Sequence, residues 1–387
     1  MALKRHRLTQ RRQAVGYTQE KFAEKLGIDR STVVRWESGR GAPQPWMRPH
    51  VARLLQLSLD ELDALLSHAE QEPAPGQLRG FALRNPSGVD LATAASLRQD
   101  FDELVDRYDR VPSAGLLAEA GQHLSHAAFL ADEARAGRAG RELRLLQADA
   151  ATLMGQLVWD ASQRHDLATA RGYYDQAVEI SRYVRDHAAE GHALLRTSYI
   201  ALYGVKDARA GLDLVLRAEE RAGAASDAVA GLSALHAAEA YAMLGQVEEC
   251  ERALVRAEFR LGRVDSMDSA AKLVSPSQFG RLAGSCYLAL GQYSRAQRLL
   301  ELSAAQSTDR KKSRAIVLGN LALAHLRQHD LDASVQVLDE TITLLEETRG
   351  GGGLTLAFQV GREMRPWRKE TLVQDVYDRL LGLMTLA

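Results

Sequence analysis

From about residue 140 onward, one arrangement of small and bulky residues keeps returning at fixed offsets. Ala238, Tyr241, Gly245, Val247, Cys250, Leu254 and Ala257 form one copy. Gly284, Tyr287, Gly291, Tyr293, Ala296, Leu300 and Ser303 stand at identical offsets, as do Ala322, His325, His329, Leu331, Ser334, Leu338 and Thr341. Two weaker copies centre on Ala170 and Ala210, so the markers Ala170, Ala210, Cys250, Ala296 and Ser334 lie 38 to 46 residues apart. Within a copy the apolar positions advance by three or four, the period of a helix face. No strand-like alternation occurs after Leu91. A helix pair of this length cannot bury its apolar face alone, so successive copies must stack. Small residues fall where one helix must approach the other, glycine falls at the turn, and leucines and aromatics fill the space between pairs. The chain is therefore expected to be all-α.

At 387 residues the chain is too long for one small domain, and an apolar content of 46% can bury a substantial core. The net charge is −1, but residues 1–53 carry +8 and the remainder −9. A basic head on an acidic body is the asymmetry expected when the head meets nucleic acid. Cys250 and Cys286 fall inside helical patterns and read as small buried residues, not as a disulfide framework. No apolar run follows the basic N-terminus, and none approaches the roughly eighteen residues of a membrane span. A cytoplasmic protein without a signal peptide or membrane segment is expected.

The basic head opens with an expected helix over Leu3 to Val15, carrying Lys4, Arg5, Arg7, Arg11 and Arg12. Thr18 to Arg40 encodes two more helices and a tight turn. Phe22, Ala23 and Leu26 make the buried stripe of the first. Gly27 follows where a helix C-terminus favours a residue tolerant of positive φ. Asp29 is placed to cap the second helix, which buries Val33 and Trp36 and turns Arg30, Ser31, Val34 and Arg35 outward. Two further helices over Trp46 to Ser67 complete a five-helix domain over residues 1–69. Residues 70–90 hold Pro73, Pro75, Gly76, Gly80, Pro86 and Gly88, and read as a solvated linker. Residues 91–348 form the repeat domain. Residues 349–387 begin with Arg349-Gly350-Gly351-Gly352-Gly353, expected to be a non-helical hinge or flexible loop, and end in a capping helix from Lys369 to Met384.

The head resembles the Xre/Cro, or phage-repressor, type of helix-turn-helix. Thr18-Gln19 opens the first helix, Ala23 lies inside it, Gly27 marks the turn, and Trp36-Glu37 with Gly39 closes the second. The resemblance implies that the second helix enters the major groove of double-stranded DNA. It places base contacts at Arg30, Ser31, Val34 and Arg35. Phosphate contacts fall at Gln19, with Thr32 and Arg40 beside it and the first-helix arginines adding charge. An arginine can read guanine O6 and N7, and a valine methyl can meet thymine. The resemblance also implies an ion pair between Arg12 and Glu37, and a homodimer on an inverted-repeat operator.

The repeats resemble the tetratricopeptide unit, lengthened, which implies a right-handed helical solenoid with a concave binding face. A helix-turn-helix head on such an array resembles peptide-pheromone regulators of Gram-positive bacteria and regulators of actinobacteria. By register the concave face should carry His192, Arg196, Tyr199, Tyr203, His236, Glu239, Gln278, Arg281, Ser285, Asn320 and Arg327. Asn320 is the array's single asparagine, a departure from the asparagine-lined groove of those receptors. Arginines and aromatics there suit an anionic or amphipathic effector, a peptide, small molecule or protein. Two functions fit: a ligand-responsive, sequence-specific transcriptional regulator, or a tetratricopeptide adaptor acting through protein–protein contacts. The sequence holds no phosphate-cradling glycine motif, nucleophile elbow or paired CxxC, so neither an enzyme nor a cofactor is expected. His123 with His126, and His325 with His329, lack the nearby carboxylate or cysteine partners that a metal site would need.

Overall fold

The structure, a computed structural model, describes residues 5–67, 75–134 and 137–385. Lys4 of the basic first helix lies outside them. The chain divides into two compact units, residues 1–81 and 82–387. The described residues contain helices and no strand, an all-α fold.

The first unit is built from α1 (His6–Ala14), α2 (Gln19–Leu26), α3 (Arg30–Glu37), α4 (Arg48–Leu55) and α5 (Leu59–Ser67). Leu8, Phe22, Val33, Trp36, Val51, Leu55 and Leu62 form its core. Local chemistry fixes each helix end. The Thr18 hydroxyl accepts from Lys21 N at 3.2 Å and starts α2, and Gly27 ends it at φ +66°, a conformation natural to glycine. Asp29 accepts from Ser31 N at 2.7 Å and starts α3. Ser58 and Glu61 cap each other's backbone N–H at 2.7 and 3.1 Å, the reciprocal capping box that starts α5.

Two sequence expectations fail between and after the domains. Of the expected linker, residues 70–74 lie outside the described residues, but Pro75–Arg84 is a helix, α6. Proline fits a helix's first position, where its missing N–H is no loss. Ala82 is buried in a core of the second unit, with Leu83 and Val89 against it. The glycine run is not a free hinge either. Gly352 and Gly353 are buried and begin a helix, with Gly351 at its cap at φ +79°. A Cβ on Gly353 would sit 2.7 Å from Ala315 Cβ, so glycine lets this helix start against its neighbour.

The second unit, after α6, is a series of helix pairs: α7 (Leu91–Arg107) with α8 (Leu117–Glu133), α9 (Arg138–Ala161) with α10 (Leu167–Tyr183), and α11 (His187–Tyr199) with α12 (Ala208–Ala222). There follow α13 (Asp227–Met243) with α14 (Val247–Leu261), α15 (Gln278–Ala289) with α16 (Tyr293–Gln306), α17 (Lys311–Arg327) with α18 (Leu331–Thr348), and α19 (Gly352–Glu363) with α20 (Thr371–Thr385). The copies legible in sequence are the central ones; α7–α8 and α19–α20 extend the series at both ends. The long step from Cys250 to Ala296 arises because residues 262–277 form an extended connection between α14 and α15. The first helices of the pairs, α7, α9, α11, α13, α15, α17 and α19, touch one another in succession. They form a continuous inner layer, and α13 is buried almost all round. Glycine permits the close approach within pairs: a Cβ on Gly284 of α15 would meet Leu300 of α16 at 2.7 Å.

The series also curls back on itself. Lys312 N donates to Asp109 O at 3.2 Å, and Lys312 Nζ to Ser113 Oγ at 2.7 Å. Ser313 Oγ lies 3.1 Å from the Asp109 carboxylate, and Lys272 pairs with Asp102 at 2.6 Å. The beginning of α17 thus closes against the first pair.

Candidate nucleic-acid interface and interior polar network

The head's candidate site grows from α3. Val33 and Trp36 anchor the helix in the core at 1% and 5% exposure. Helical period then leaves Arg30, Ser31, Val34 and Arg35 exposed on the opposite face. Thr32 and Gln19 are half-buried at the edge, and Arg40 is exposed just beyond the helix. Arg30 pairs with Glu20 at 2.8 Å and donates to Gln19 Oε1 at 3.3 Å. Both are solvent-exposed contacts that a base or phosphate could displace at little cost.

Beneath this face lies a buried pair. Arg12 Nε donates to Glu37 Oε1 at 2.7 Å, with the two residues 4% and 7% exposed. Arg12 Nη1 donates to Tyr17 O at 2.5 Å, and Gln19 Nε2 donates to Glu37 Oε2 at 2.6 Å. Glu37 therefore ties the ends of α1, α2 and α3 together. Two other first-helix arginines also hold backbone carbonyls. Arg11 donates to Leu55 O and Gln56 O at 2.8 Å each, and Arg5 to Trp36 O at 3.1 Å. Both meet carbonyls at the C-terminal ends of α4 and α3, where a helix carries partial negative charge. Sequence reading missed this role because a charge run does not say which carbonyls lie opposite.

The second candidate site lies in the inner layer. His236 and Glu239 are one turn apart on α13, and are 2% and 7% exposed. Tyr199 closes α11, and the chain continues as a π-helical turn over Ile200–Val205. A π-turn adds a residue to the helical repeat, and here Tyr199 and Tyr203 both converge on one imidazole. Tyr199 Oη lies 2.8 Å from His236 Nε2, and Tyr203 Oη 2.8 Å from Nδ1. Glu239 Oε2 lies 2.9 Å from Nδ1 and accepts from the Tyr203 hydroxyl. One proton arrangement satisfies every group. Nδ1–H donates toward Glu239 and the Tyr203 oxygen, Tyr203 O–H donates to Glu239, and Tyr199 O–H donates to Nε2. Burial lowers the His236 pKa, so the ring is neutral. Burial raises the Glu239 carboxyl, but the bonds from His236 and Tyr203 outweigh it and hold the group below its ordinary value.

On α11, Arg196 Nε donates to His192 Nε2 at 3.2 Å, and its guanidinium stands 5.3 Å over the Tyr199 ring. Burial, with Arg196 alongside, pushes His192 down to about 3. Arg281 of α15 acts electrostatically on Tyr199, Tyr203, His236 and Glu239. The other groove candidates are not bonded into this group. Arg327 pairs with Glu363 at 2.8 Å, Gln278 Oε1 accepts from Ser275 N at 3.3 Å, and Asn320 is buried on α17. Sequence reading also missed Trp159 and Tyr174, which pack with Ile200 against Tyr199 and Tyr203. The two cysteines are both buried and free. No group of metal-binding side chains occurs among the described residues, and none of their helices is long and apolar enough to cross a membrane.

Residues 8–62 match the helix-turn-helix family model. The first unit is thus a helix-turn-helix domain, and it heads an all-α body of stacked helix pairs. No curated protein matches the chain. Among solved structures, a Podospora anserina kinesin light chain-like protein with nearly identical tetratricopeptide-like repeats is similar at 18% identity and a TM-score of 0.34, covering 51% of this chain and 92% of its own. Bacillus thuringiensis PlcR, in complex with the peptide PapR7 and DNA, is similar at 14% identity and a TM-score of 0.30, covering 86% of this chain and 100% of its own.

Proposed function

We propose that this chain is a sequence-specific DNA-binding transcriptional regulator whose helical body senses an effector and holds two heads as a homodimer on an inverted-repeat operator. The observation that carries the reading is α3, anchored by Val33 and Trp36, with Arg30, Ser31, Val34 and Arg35 exposed together within the segment that matches the helix-turn-helix family. Arg30 and Arg35 read guanine edges, Val34 meets a thymine methyl, and Ser31 bonds a base edge. Gln19, Thr32 and Arg40 take phosphate oxygens. One such head makes few contacts. Two heads spaced by about one helical turn, roughly 34 Å, give the usual geometry for this motif.

The proposed sensing face is the inner layer around Arg196, Tyr199, Tyr203, His236, Glu239 and Arg281. An effector acts by binding one arrangement of the body more tightly than another. Selection from random duplexes, followed by titration, tests the DNA reading. Arg35→Ala should weaken the selected site about tenfold or more while changing random DNA little, since a lost bidentate contact is worth about 1–3 kcal/mol. An equal loss on both duplexes would make Arg35 a phosphate contact. Failure to enrich any sequence would remove the specific reading.

A further inference from the structure

We propose that Arg196 forms the seat for a carboxylate on the effector. This rests on the inner layer being the sensing face and names the chemistry it accepts. The first support is a charge count. The charged groups acting on Tyr199 and His236 are Arg196, Arg281 and Glu239. Two guanidiniums thus act on this group against the one carboxylate of Glu239. Neither arginine forms an ion pair among the described residues, although both are partly buried. Elsewhere in the array the half-buried Arg98, Arg260, Arg314 and Arg327 each pair with a carboxylate, of Asp149, Asp227, Glu340 and Glu363 respectively, while half-buried Arg164 stands over the Trp159 ring without one. A partly buried guanidinium without a counter-charge is costly to keep unless something else neutralises it.

The second support is independent of charge. The Tyr174 hydroxyl is fully buried and Trp159 Nε1 belongs to a residue 3% exposed, yet neither atom has a partner among the described residues. Both side chains belong to the cluster packed against Tyr199 and Tyr203, and Arg196 is the leading charged neighbour of Tyr174. Buried polar atoms are nearly always satisfied, so two donors without acceptors mark a missing group. Both can donate, as can the Nη groups of Arg196, so the group that would satisfy them is an acceptor. The Arg196 guanidinium, already held over Tyr199 and fixed through Nε to His192, presents its outer edge in the fork geometry that suits a carboxylate. By contrast, a surface depression of about 450 Å³ between α12 and α14 is lined by Arg256 and Arg260, whose charges Glu219 and Asp227 already match.

A carboxylate could end a peptide or belong to a small organic acid, and the test separates them. Full-length protein is heated with a random pentapeptide pool bearing free C-terminal carboxylates, with the same pool amidated, with benzoate, and with benzamide. The unfolding temperature should rise by several degrees with the free-acid pool and not with the amidated one. A rise with benzoate but not benzamide shows that a small acid suffices; a rise with the peptide acids alone assigns the seat to a peptide end. Arg196→Gln should abolish the rise, and Arg196→Lys, which keeps the charge but not the fork, should retain part of it. Equal shifts from acid and amide forms would overturn the carboxylate seat while leaving an effector-binding face. No shift from any free acid would overturn both, and DNA binding, titrated separately, would stand or fall on its own.

Discussion

At the residue scale, the groups that matter most are charged side chains removed from water. The Arg12 guanidinium and the Glu37 carboxylate share a buried site in the head, where each is the other's counter-charge. Removing one partner strands the other, which typically costs about 3–5 kcal/mol. Arg12→Met is therefore expected to unfold the head at a much lower denaturant midpoint, read from the near-ultraviolet signal of Trp36. A loss under about 1 kcal/mol, the range of a solvated pair, would show that water enters the site and that the pair is only superficially buried. His192 gives a pH prediction with a definite sign. Its folded-state pKa lies near 3, below the ordinary value of 6.5. Between those values the unfolded chain binds a proton that the folded chain does not, so stability falls as pH drops below about 6.5. One such group contributes a slope of up to about 1.4 kcal/mol per pH unit. His192→Asn should flatten the body's stability profile between about pH 6 and 4 relative to the parent; parallel profiles would place His192 in contact with solvent.

At the element scale, glycine illustrates how packing overrides propensity. An exposed helical glycine weakens its helix by up to about 1 kcal/mol relative to alanine. Gly172 in α10 has nothing within 4 Å of where a Cβ would stand, so Gly172→Ala should stabilise the body by roughly that amount. Gly353 in α19 has Ala315 Cβ at 2.7 Å and Leu345 Cδ2 at 3.3 Å from the corresponding position. Gly353→Ala should instead destabilise by about 1–3 kcal/mol, the usual cost of overpacking. Thermal midpoints moving in the same direction for both would refute the close-approach account. The same contrast explains what the sequence disclosed. The helices of the head were legible because Thr18, Gly27 and Asp29 are capping residues whose chemistry is local. The start of α19 was not, because a run of glycines reads as flexible until Ala315 and Ile316 are known to lie against it. Likewise α6 was hidden by its proline and glycines, and the buried Ala82 near its end is one small apolar residue among many. Within the inner layer, helical register put Tyr199, Tyr203, His236 and Glu239 on one face. It could not foresee the π-turn that brings both tyrosines to the same imidazole, nor that Arg327 is taken by Glu363.

At the scale of the whole body, the seam between α17 and the first pair changes how the repeats should behave. In an open solenoid each repeat meets only its neighbours, so a local defect spreads by one step at a time. Here Lys312, 3% exposed, reaches across to Ser113 and stands 4.1 Å from the Tyr108 ring. Tyr108 in turn donates to the buried Asp160 at the end of α9. Burial lowers the Lys312 pKa, while Asp160 and Asp109 pull it back up, so the lysine and the two carboxylates stabilise one another across the seam. Lys312→Met removes that cation and leaves Asp160 to its bonds with the Tyr108 and Ser113 hydroxyls. If closure couples the ends, backbone hydrogen exchange should quicken both at the start of α17 and around residues 108–113 and 160–164, far earlier in the chain. Exchange that quickens only within α17 would mean the ends touch without sharing stability.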